Sequence, residues 1–386
     1  MRKTELDSLR GIAAFAVLLY HATAASLHTF FVGAKLQSVD GIWQNALMYS
    51  PLRIFSAGPE AVWLFFALSG FVLVRSASRP DYRWDAYYPS RIIRLYVPVI
   101  GAVLLTAVIF LVIPHQVTPA NSVFVGGLPN TYTVGNMILD STLLTGTSAA
   151  NVPLWSLQWE VLFSLLLPVA VLLARKYPIV SAAIAVAASI ASVWTGSLFL
   201  LYMPMFVIGA VLGYNWEAID KRLGVLRLGG LRGALIGGAG LVLAICLITS
   251  AYSFHFLVRP DDFWNVNVAS TIFTVAKLAG IAMVFALAIA WAPLRTLLRV
   301  KPLVALGTIS FSLYLTHGPI VIGLAFLLGP GIVTTILQIV TSMVVAIIFY
   351  LLVERHAHRL SRLVARRIRE EKPEKSTAET VSSLSS

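Results

Sequence analysis

Apolar stretches long enough to cross a membrane recur along almost the whole chain, and they constrain the fold more than any other feature. Of the 386 residues, 58% are hydrophobic and 12% are charged, whereas a soluble domain carries about 25% charged residues. A transmembrane helix needs about 20 apolar residues, and about ten segments reach that length. We therefore predict an all-α, polytopic membrane helix bundle. The predicted spans cover approximately residues 11–31, 60–78, 94–114, 157–174, 178–194, 197–215, 233–250, 268–291, 303–327 and 332–353.

Lysine and arginine residues gather in every second connecting segment. The alternate segments contain only Lys35, Arg53 and Arg259, and Lys277 lies inside a predicted span. Cytoplasmic loops of membrane proteins carry the excess of Lys and Arg, so both termini are predicted to be cytoplasmic. The net charge of +12 is therefore interpreted as membrane topology and not as nucleic-acid binding. The basic segments are 2–10, 75–94, 175–176, 221–232, 295–301 and 355–375.

The two ends of the chain differ in character. Residues 1–356 form the predicted transmembrane domain, and 357–386 form a cytoplasmic tail that is first basic and then polar. The basic part can lie along an anionic inner leaflet, and the polar part is predicted to be disordered. A cleaved signal peptide is an alternative for the N-terminus, but Glu5 and Asp7 are atypical of one. The lone Cys246 excludes a disulfide within the chain.

Arg10 and His21 lie eleven residues apart at the start of the first span. At 100° and 1.5 Å per residue they share one helix face and lie about 16 Å apart. Ionisable residues inside a membrane are costly and mark functional sites. Arginine suits phosphate recognition, and histidine transfers protons near neutral pH. The alternative is a topology-setting arginine and a histidine hydrogen-bonded within the bundle, and the spacing alone does not decide.

Further polar residues stand at the ends of later spans. Arg91 and Arg94 occupy one face at the predicted cytoplasmic mouth of the third span, where they can also be ordinary topology anchors. Glu160, in the segment WSLQWE, is predicted just inside the outer surface of the fourth span. A carboxylate that enters hydrocarbon needs a partner there. Lys277 is a cation within a span, and both structural pairing and function stay open for it.

The ninth predicted span carries Ser310, Tyr314 and His317 at positions i, i+4 and i+7, on one helix face. Such a face suits either interhelical hydrogen bonding or a catalytic site. Glu354, at the inner end of the last span, is predicted to pair with a cytoplasmic arginine. Gly70, which follows Ser69, predicts a close helix contact.

Taken together, these stretches resemble the membrane-bound acyltransferase family 3, the O-antigen acetylase-like O-acyltransferases of bacteria. The segment with Asp7, Arg10, Gly11 and His21 resembles the opening motif of that family. The resemblance extends over about residues 5–356. Its later signatures follow in the same order as FFALSGF at 65–71, RIIRLYVP at 91–98, WSLQWE at 155–160, ISFSLYLTH at 309–317 and the closing Glu354.

The resemblance implies an enzyme of EC 2.3.1 type in the bacterial inner membrane. It implies transfer of an acyl group, commonly acetyl, from acyl-CoA to a hydroxyl of a cell-envelope or exported carbohydrate. Membrane lipid and a carbohydrate or glycolipid acceptor are the implied partners, with neither a metal nor a nucleic acid.

The resemblance also implies roles for individual residues. His21 would be the general base, while Arg10, Arg91 and Arg94 would hold the CoA phosphates. Glu160 would orient His21 or bind acceptor hydroxyls. The residues implied to line the substrate site are Ser310, Tyr314 and His317.

One position departs from the family pattern. Many members carry an acidic residue where this chain has Trp63, and Glu60 lies one helical turn earlier. A transporter is the alternative function, because intramembrane Arg, His, Lys and Glu also suit solute pathways. No internal repeat supports that alternative, and a non-catalytic membrane scaffold is a third reading. No hydroxyl or thiol nucleophile stands beside His21 in sequence, which favours direct acyl transfer over an acyl-enzyme.

Overall fold

The computed structural model describes residues 4–27, 31–32, 35–36, 42–223, 230–259 and 261–371, and these residues are mainly helical. The one sheet among them is an antiparallel hairpin of β1 (Phe31–Val32) and β2 (Lys35–Leu36). The helices, in chain order, are α1 (Thr4–Ser26), α2 (Ile42–Met48), α3 (Gly58–Ala77), α4 (Trp84–Val112), α5 (Val123–Gly126), α6 (Val134–Thr142), α7 (Leu154–Leu165), α8 (Leu167–Lys176), α9 (Pro178–Thr195), α10 (Leu198–Tyr214), α11 (Trp216–Arg222), α12 (Gly230–Ile248), α13 (Ser250–Ser253), α14 (Phe263–Ala290), α15 (Ala292–Leu298), α16 (Lys301–Thr308), α17 (Ser310–Leu328), α18 (Ile332–Phe349) and α19 (Arg355–Glu371). Short 3-10 turns cover Pro51–Ser56 and His255–Leu257, and a π turn covers Tyr350–Glu354.

The number of spans agrees with the prediction. Eight helices of the described residues are long and apolar enough to cross a membrane, and two bent helix pairs raise the number to ten. The predicted all-α membrane bundle is therefore confirmed, while the orientation of the termini stays a prediction.

The predicted fourth span is broken in the middle. Helices α7 and α8 meet at an angle of 64°. Pro168 lacks a backbone N–H, so the carbonyl of Ser164 loses the donor it would have in a continuous helix. In its place the hydroxyl of Tyr87 donates to the Ser164 carbonyl at 3.2 Å, and that of Tyr88 donates to the Leu165 carbonyl at 3.3 Å. Helix α4 thus satisfies backbone groups that the break exposes, as a membrane interior requires.

Glycines allow α3 and α10 to cross with their backbones in contact. A Cβ atom at Gly70 would collide with the backbone of Phe206, and one at Gly209 would collide with that of Ala67. Gly213 meets Phe71 in the same way, with 2.5 Å between its Cβ position and the carbonyl oxygen. The Gly209-to-Gly213 spacing is the small-xxx-small pattern of membrane helix pairs. The predicted close contact at Gly70 is confirmed.

The ninth and tenth spans differ from their predicted limits. The ninth is divided at Ile309, so that α16 and α17 are separate helices. The tenth continues through the π turn into α19, and the helical segment Ile332–Glu370 is 39 residues long. The basic tail thus continues the helix of the last span as α19, which packs along α4, and its contact with the inner leaflet stays a prediction. Residues 372–386, predicted to be disordered, lie outside the described part of the chain.

Candidate active site

His21 is buried in the bundle, with 7% of its surface exposed, and aromatic rings surround it. Phe124, from the short helix α5, stacks on the imidazole with centroids 5.6 Å apart. Tyr20 contacts the same ring edge-on at 5.2 Å. The ring of His317 lies 5.2 Å away, at an interplanar angle of 23°. These contacts hold the His21 imidazole in one place.

The two histidines are hydrogen-bonded to each other. Nδ1 of His21 lies 2.9 Å from Nε2 of His317, across 296 residues of sequence. His317 is fully buried, and its Nδ1 lies 2.9 Å from the carbonyl oxygen of Leu313. Nε2 of His21 has no hydrogen-bond partner among the described residues and is not one of their fully buried polar atoms. One ring nitrogen of His21 is thus held by His317, while the other has no hydrogen-bond partner among the described residues.

The segment between α6 and α7 packs against α17, the helix that carries His317. Asn151 is fully buried, and its side-chain amide donates to the carbonyl of Leu315 at 3.1 Å. Gly318 leaves room for Pro153, since a Cβ at Gly318 would lie 2.6 Å from the proline ring. The Ser156 and Tyr314 hydroxyls are 2.7 Å apart. Helix α7 therefore begins deep in the bundle, beside α17.

The three predicted substrate-lining residues lie on α17 and are buried, but each has a protein partner. Ser310 donates to the carbonyl of Gly307 at 2.9 Å, which is a bond across the break between α16 and α17. Tyr314 bonds Ser156, and His317 bonds His21. The structure thus joins Tyr314 and His317 to the His21 surroundings. Their contact with a substrate stays a prediction.

Glu160 lies elsewhere than expected. Its carboxylate forms an ion pair with Arg91 and accepts a hydrogen bond from Ser69 at 2.9 Å. The sequence predicts Arg91 at the cytoplasmic mouth and Glu160 near the outer surface. Because the two side chains contact each other, at least one of these two predicted positions is wrong. Helix α7 begins beside α17 inside the bundle, and Glu160 lies on it between Arg91 of α4 and Ser69 of α3. The group that contacts His21 is His317, so Glu160 does not orient His21 in this structure.

The three predicted phosphate-binding arginines are not equivalent. Arg91 is mostly enclosed and also donates from Nε to Ser164 Oγ at 3.0 Å. Its two partners tie α4 to α7. Arg10 is half-buried on α1, and Arg94 is exposed on α4. Arg10 and Arg94 are therefore more exposed than Arg91, whose side chain is only 14% exposed.

Lys277 and Glu60 form a second buried ion pair. Nζ of Lys277 lies 2.8 Å from Glu60 Oε1 and 4.8 Å from the centre of the Trp63 ring. Glu60 also accepts from the hydroxyl of Tyr252 at 3.0 Å. This answers two questions that the sequence left open. Lys277 is structurally paired, and Glu60 supplies the carboxylate near the position that Trp63 occupies.

Glu354 belongs to the junction between the last span and α17. It accepts hydrogen bonds from the backbone N–H and the hydroxyl of Ser312, at 3.0 and 2.5 Å. Ser312 stands in the first turn of α17, where backbone N–H groups favour a carboxylate. His358 lies 3.6 Å from the same carboxylate. These contacts connect the π turn to the helix that carries His317, and π turns recur at functional sites.

Two grooves flank Leu144, away from the histidines. One has a volume of 580 Å³ and is lined by Tyr96 and α6, and the other has a volume of 370 Å³ and is lined by Trp159 and α7. His21 lines neither groove. Across the described ranges no group of three or more His, Cys, Asp or Glu residues could hold a metal ion.

Sequence reasoning missed Phe124, Asn151 and Ser156 as neighbours of the histidines. Ser156 lies inside the WSLQWE segment, but a serine there carries no sequence signal of its own, unlike the charged Glu160. Phe124 lies in α5 and Asn151 lies between α6 and α7, and the sequence of this connecting region contains no signal for insertion into the bundle.

Comparison with known proteins identifies the family of this chain. The model of the family described as "Acyltransferase domain" matches residues 3–355. A curated relative, "Acyltransferase MdmB" of Streptomyces mycarofaciens, is 28% identical over 346 residues, which cover 82% of this chain and 79% of the relative. No solved structure matches the chain. The match covers nearly the whole described bundle, including both histidines, and decides against the transporter and scaffold alternatives. The chain therefore belongs to acyltransferase family 3 and is a membrane acyltransferase.

Proposed function

We propose that this acyltransferase moves an acyl group, acetyl in the first instance, from acyl-CoA to a hydroxyl of a cell-envelope or exported carbohydrate. The enzyme would act in the bacterial inner membrane, with His21 as the general base. One observation carries the proposal. His21 is enclosed by α1, α5 and α17 and hydrogen-bonded through Nδ1, while Nε2 has no partner among the described residues.

The chemistry needs a base of that kind. A hydroxyl is a weak nucleophile, and a positioned imidazole that removes its proton typically accelerates such a step by about 10²- to 10⁴-fold. The acceptor oxygen bonds to the acyl carbon, the carbon–sulfur bond of the thioester breaks, and CoA leaves. Tyr314 and Ser156, which bond each other beside the pair, are candidates to contact the acceptor.

Arg10 and Arg94 are proposed to bind the phosphates of acyl-CoA at the cytoplasmic side. Arg10 shares a helix face with His21, about 16 Å away, so a bound nucleotide can extend its thioester arm along α1. Arginine recognises phosphate through paired, charge-assisted hydrogen bonds. Arg91 and Glu160 are assigned instead to holding α4 against α7, because they bond each other.

Label transfer tests the proposal. Membranes that contain the wild-type protein or His21→Gln would receive acetyl-labelled CoA, and the label would be followed into the envelope glycan fraction. His356→Gln is the matched control, because His356 is exposed on α19. We expect labelled glycan with wild type and the control, and a loss of about 100-fold or more with His21→Gln. Equal labelling with wild type and His21→Gln at equal protein levels would exclude His21 as the base.

A further inference from the structure

The hydrogen bonds of His317 determine which of its ring nitrogens carries hydrogen. Nδ1 of His317 lies 2.9 Å from the carbonyl oxygen of Leu313, one helical turn earlier in α17. A carbonyl oxygen only accepts, so Nδ1 carries the hydrogen. The neutral ring then has its lone pair on Nε2. His317 therefore presents a hydrogen-bond acceptor to its neighbour.

The same reasoning extends to His21. Its Nδ1 lies 2.9 Å from the accepting Nε2 of His317, so Nδ1 of His21 carries a hydrogen and donates it. The lone pair of neutral His21 is consequently on Nε2, the nitrogen that no described residue engages. Two consecutive hydrogen bonds, which begin at a backbone carbonyl, thus select one tautomer of His21. It is the tautomer that can accept a proton from a substrate.

We propose that His317 is a positioning residue that holds His21 in the Nδ1-protonated tautomer for acyl transfer, an inference that rests on the proposed function. Nε2 of His21 takes the proton of the acceptor hydroxyl as the oxygen bonds to the acyl carbon. The carbon–sulfur bond breaks, and the same proton passes from Nε2 to the CoA sulfur. His317 neither gives nor takes a proton. Its lone pair holds the Nδ1–H of His21, and this bond strengthens while His21 is positively charged.

A histidine suits this position better than a carboxylate. Both histidines lie inside candidate membrane spans, and His317 is fully buried. A charged group there would carry a large desolvation cost, whereas a neutral imidazole accepts the same hydrogen bond without it. The one carboxylate in the predicted site, that of Glu160, is engaged by Arg91 and Ser69. Orientation of the base is therefore left to a neutral partner.

Two substitutions at one position separate positioning from simple structural support. In His317→Gln the side-chain oxygen can replace Nε2 as acceptor, and in His317→Leu the volume is similar but the acceptor is absent. We expect His317→Leu to lower kcat about 100-fold with little change in KM, since loss of base orientation acts on the chemical step. His317→Gln is expected to recover kcat to within about tenfold of wild type. Thermal unfolding of each purified variant would verify folding.

A double-mutant cycle gives a second readout. In a His21→Ala background, adding His317→Leu should cause no further loss, because His317 acts only through His21. Wild-type activity in His317→Leu, equal loss in folded Leu and Gln variants, or an additive loss in that background would each overturn the inference. If His21→Ala itself retains wild-type activity, the proposed function fails instead.

The tautomer can also be read without any variant at position 317. In ¹⁵N-histidine-labelled protein, a protonated and an unprotonated ring nitrogen give well-separated NMR signals. The signals that disappear in His21→Ala belong to His21. We expect a protonated Nδ1 and an unprotonated Nε2, and the opposite assignment would contradict the inference.

Discussion

Gly11 of α1 and Gly307 of α16 lie in direct backbone contact, and each is followed ten residues later by one of the two histidines. A Cβ atom at Gly11 would lie 2.5 Å from the backbone nitrogen of Gly307. A Cβ atom at Gly307 would collide with the carbonyl of Asp7. Ten helical residues rise about 15 Å, so His21 lies about 15 Å along α1 from this crossing, and His317 lies on α17, beyond the break at Ile309. Their hydrogen bond depends on this close approach.

The first prediction concerns this crossing. Gly11→Ala should force the two helices apart, because the colliding atoms are backbone and cannot rotate away. We expect a loss of about 1–3 kcal/mol in stability from overpacking. A shift of about 1 Å between the histidines should lower transfer about 100-fold. Acetyl-label transfer and thermal unfolding would measure both effects.

Gly238→Ala is the matched control for that experiment. Gly238 lies in the interior of α12, and a Cβ atom there would meet no atom within 4 Å. Alanine is favoured over glycine in a helix by about 1 kcal/mol, so this variant should be as active as wild type and no less stable. Full activity in Gly11→Ala would show that the crossing does not position the histidines.

The spans could be predicted from sequence because their signal is local. A run of about 20 apolar residues identifies a membrane helix wherever its neighbours lie. The same local reasoning singles out Arg10 and His21, whose roles stay predictions, and the close contact at Gly70, which is confirmed. It also placed Ser310, Tyr314 and His317 on one face of a helix, and α17 buries all three.

The pairing of polar residues could not be predicted, because it depends on which helices are neighbours. Nothing in the segment around His21 indicates that its partner comes from position 317. Counting residues along a straight span places Glu160 near the outer surface, and nothing in the sequence indicates that its partner is Arg91 on α4. The hydroxyls of Tyr87 and Tyr88, which cap the broken helix, have no counterpart in an apolarity profile.

The second prediction concerns the donor nucleotide. If Arg10 and Arg94 bind CoA phosphates, Arg10→Gln and Arg94→Gln should each raise KM for acetyl-CoA about tenfold, since a hydrogen bond to a charged group contributes about 1.5–3 kcal/mol. Steady-state kinetics on purified protein would measure the change. Arg175→Gln, at an exposed position near the end of α8, is the control and should leave KM unchanged.

An analogue of the acyl donor tests which phosphate each arginine binds. Acetyl-dephospho-CoA lacks the 3′-phosphate, so the wild-type enzyme should bind it more weakly than acetyl-CoA. The variant that has lost the matching arginine should no longer distinguish the two donors. If both variants still discriminate as the wild type does, neither arginine contacts that phosphate.

The third prediction concerns the Arg91–Glu160 ion pair. Both side chains are largely enclosed, with 14% and 13% of their surfaces exposed. Removing one partner leaves a buried charge without its counterion, so Arg91→Gln and Glu160→Gln should each reduce stability by about 3–5 kcal/mol. The double variant Arg91→Gln/Glu160→Gln should be more stable than either single variant. Thermal unfolding of the four proteins would complete the cycle. A fall in kcat with unchanged stability in Glu160→Gln would instead assign Glu160 to the chemistry.

The last prediction concerns pH and His115, in the loop after α4. Its ring stacks on Phe110 with centroids 3.8 Å apart, and its Nδ1–H donates to the Ile113 carbonyl at 2.7 Å. Nε2 is buried without a hydrogen-bond partner among the described residues.

Burial therefore lowers the pKa of His115 below the usual value of about 6.5. The unfolded chain then binds the proton more tightly than the folded chain does. The stability contributed by packing neutral His115 is therefore complete above about pH 6.5 and decreases as the pH falls below it. We expect Tm to fall between about pH 7 and 5, and His115→Phe to reduce that dependence while His356→Gln leaves it unchanged. An unaltered pH profile in His115→Phe would show that another group is responsible.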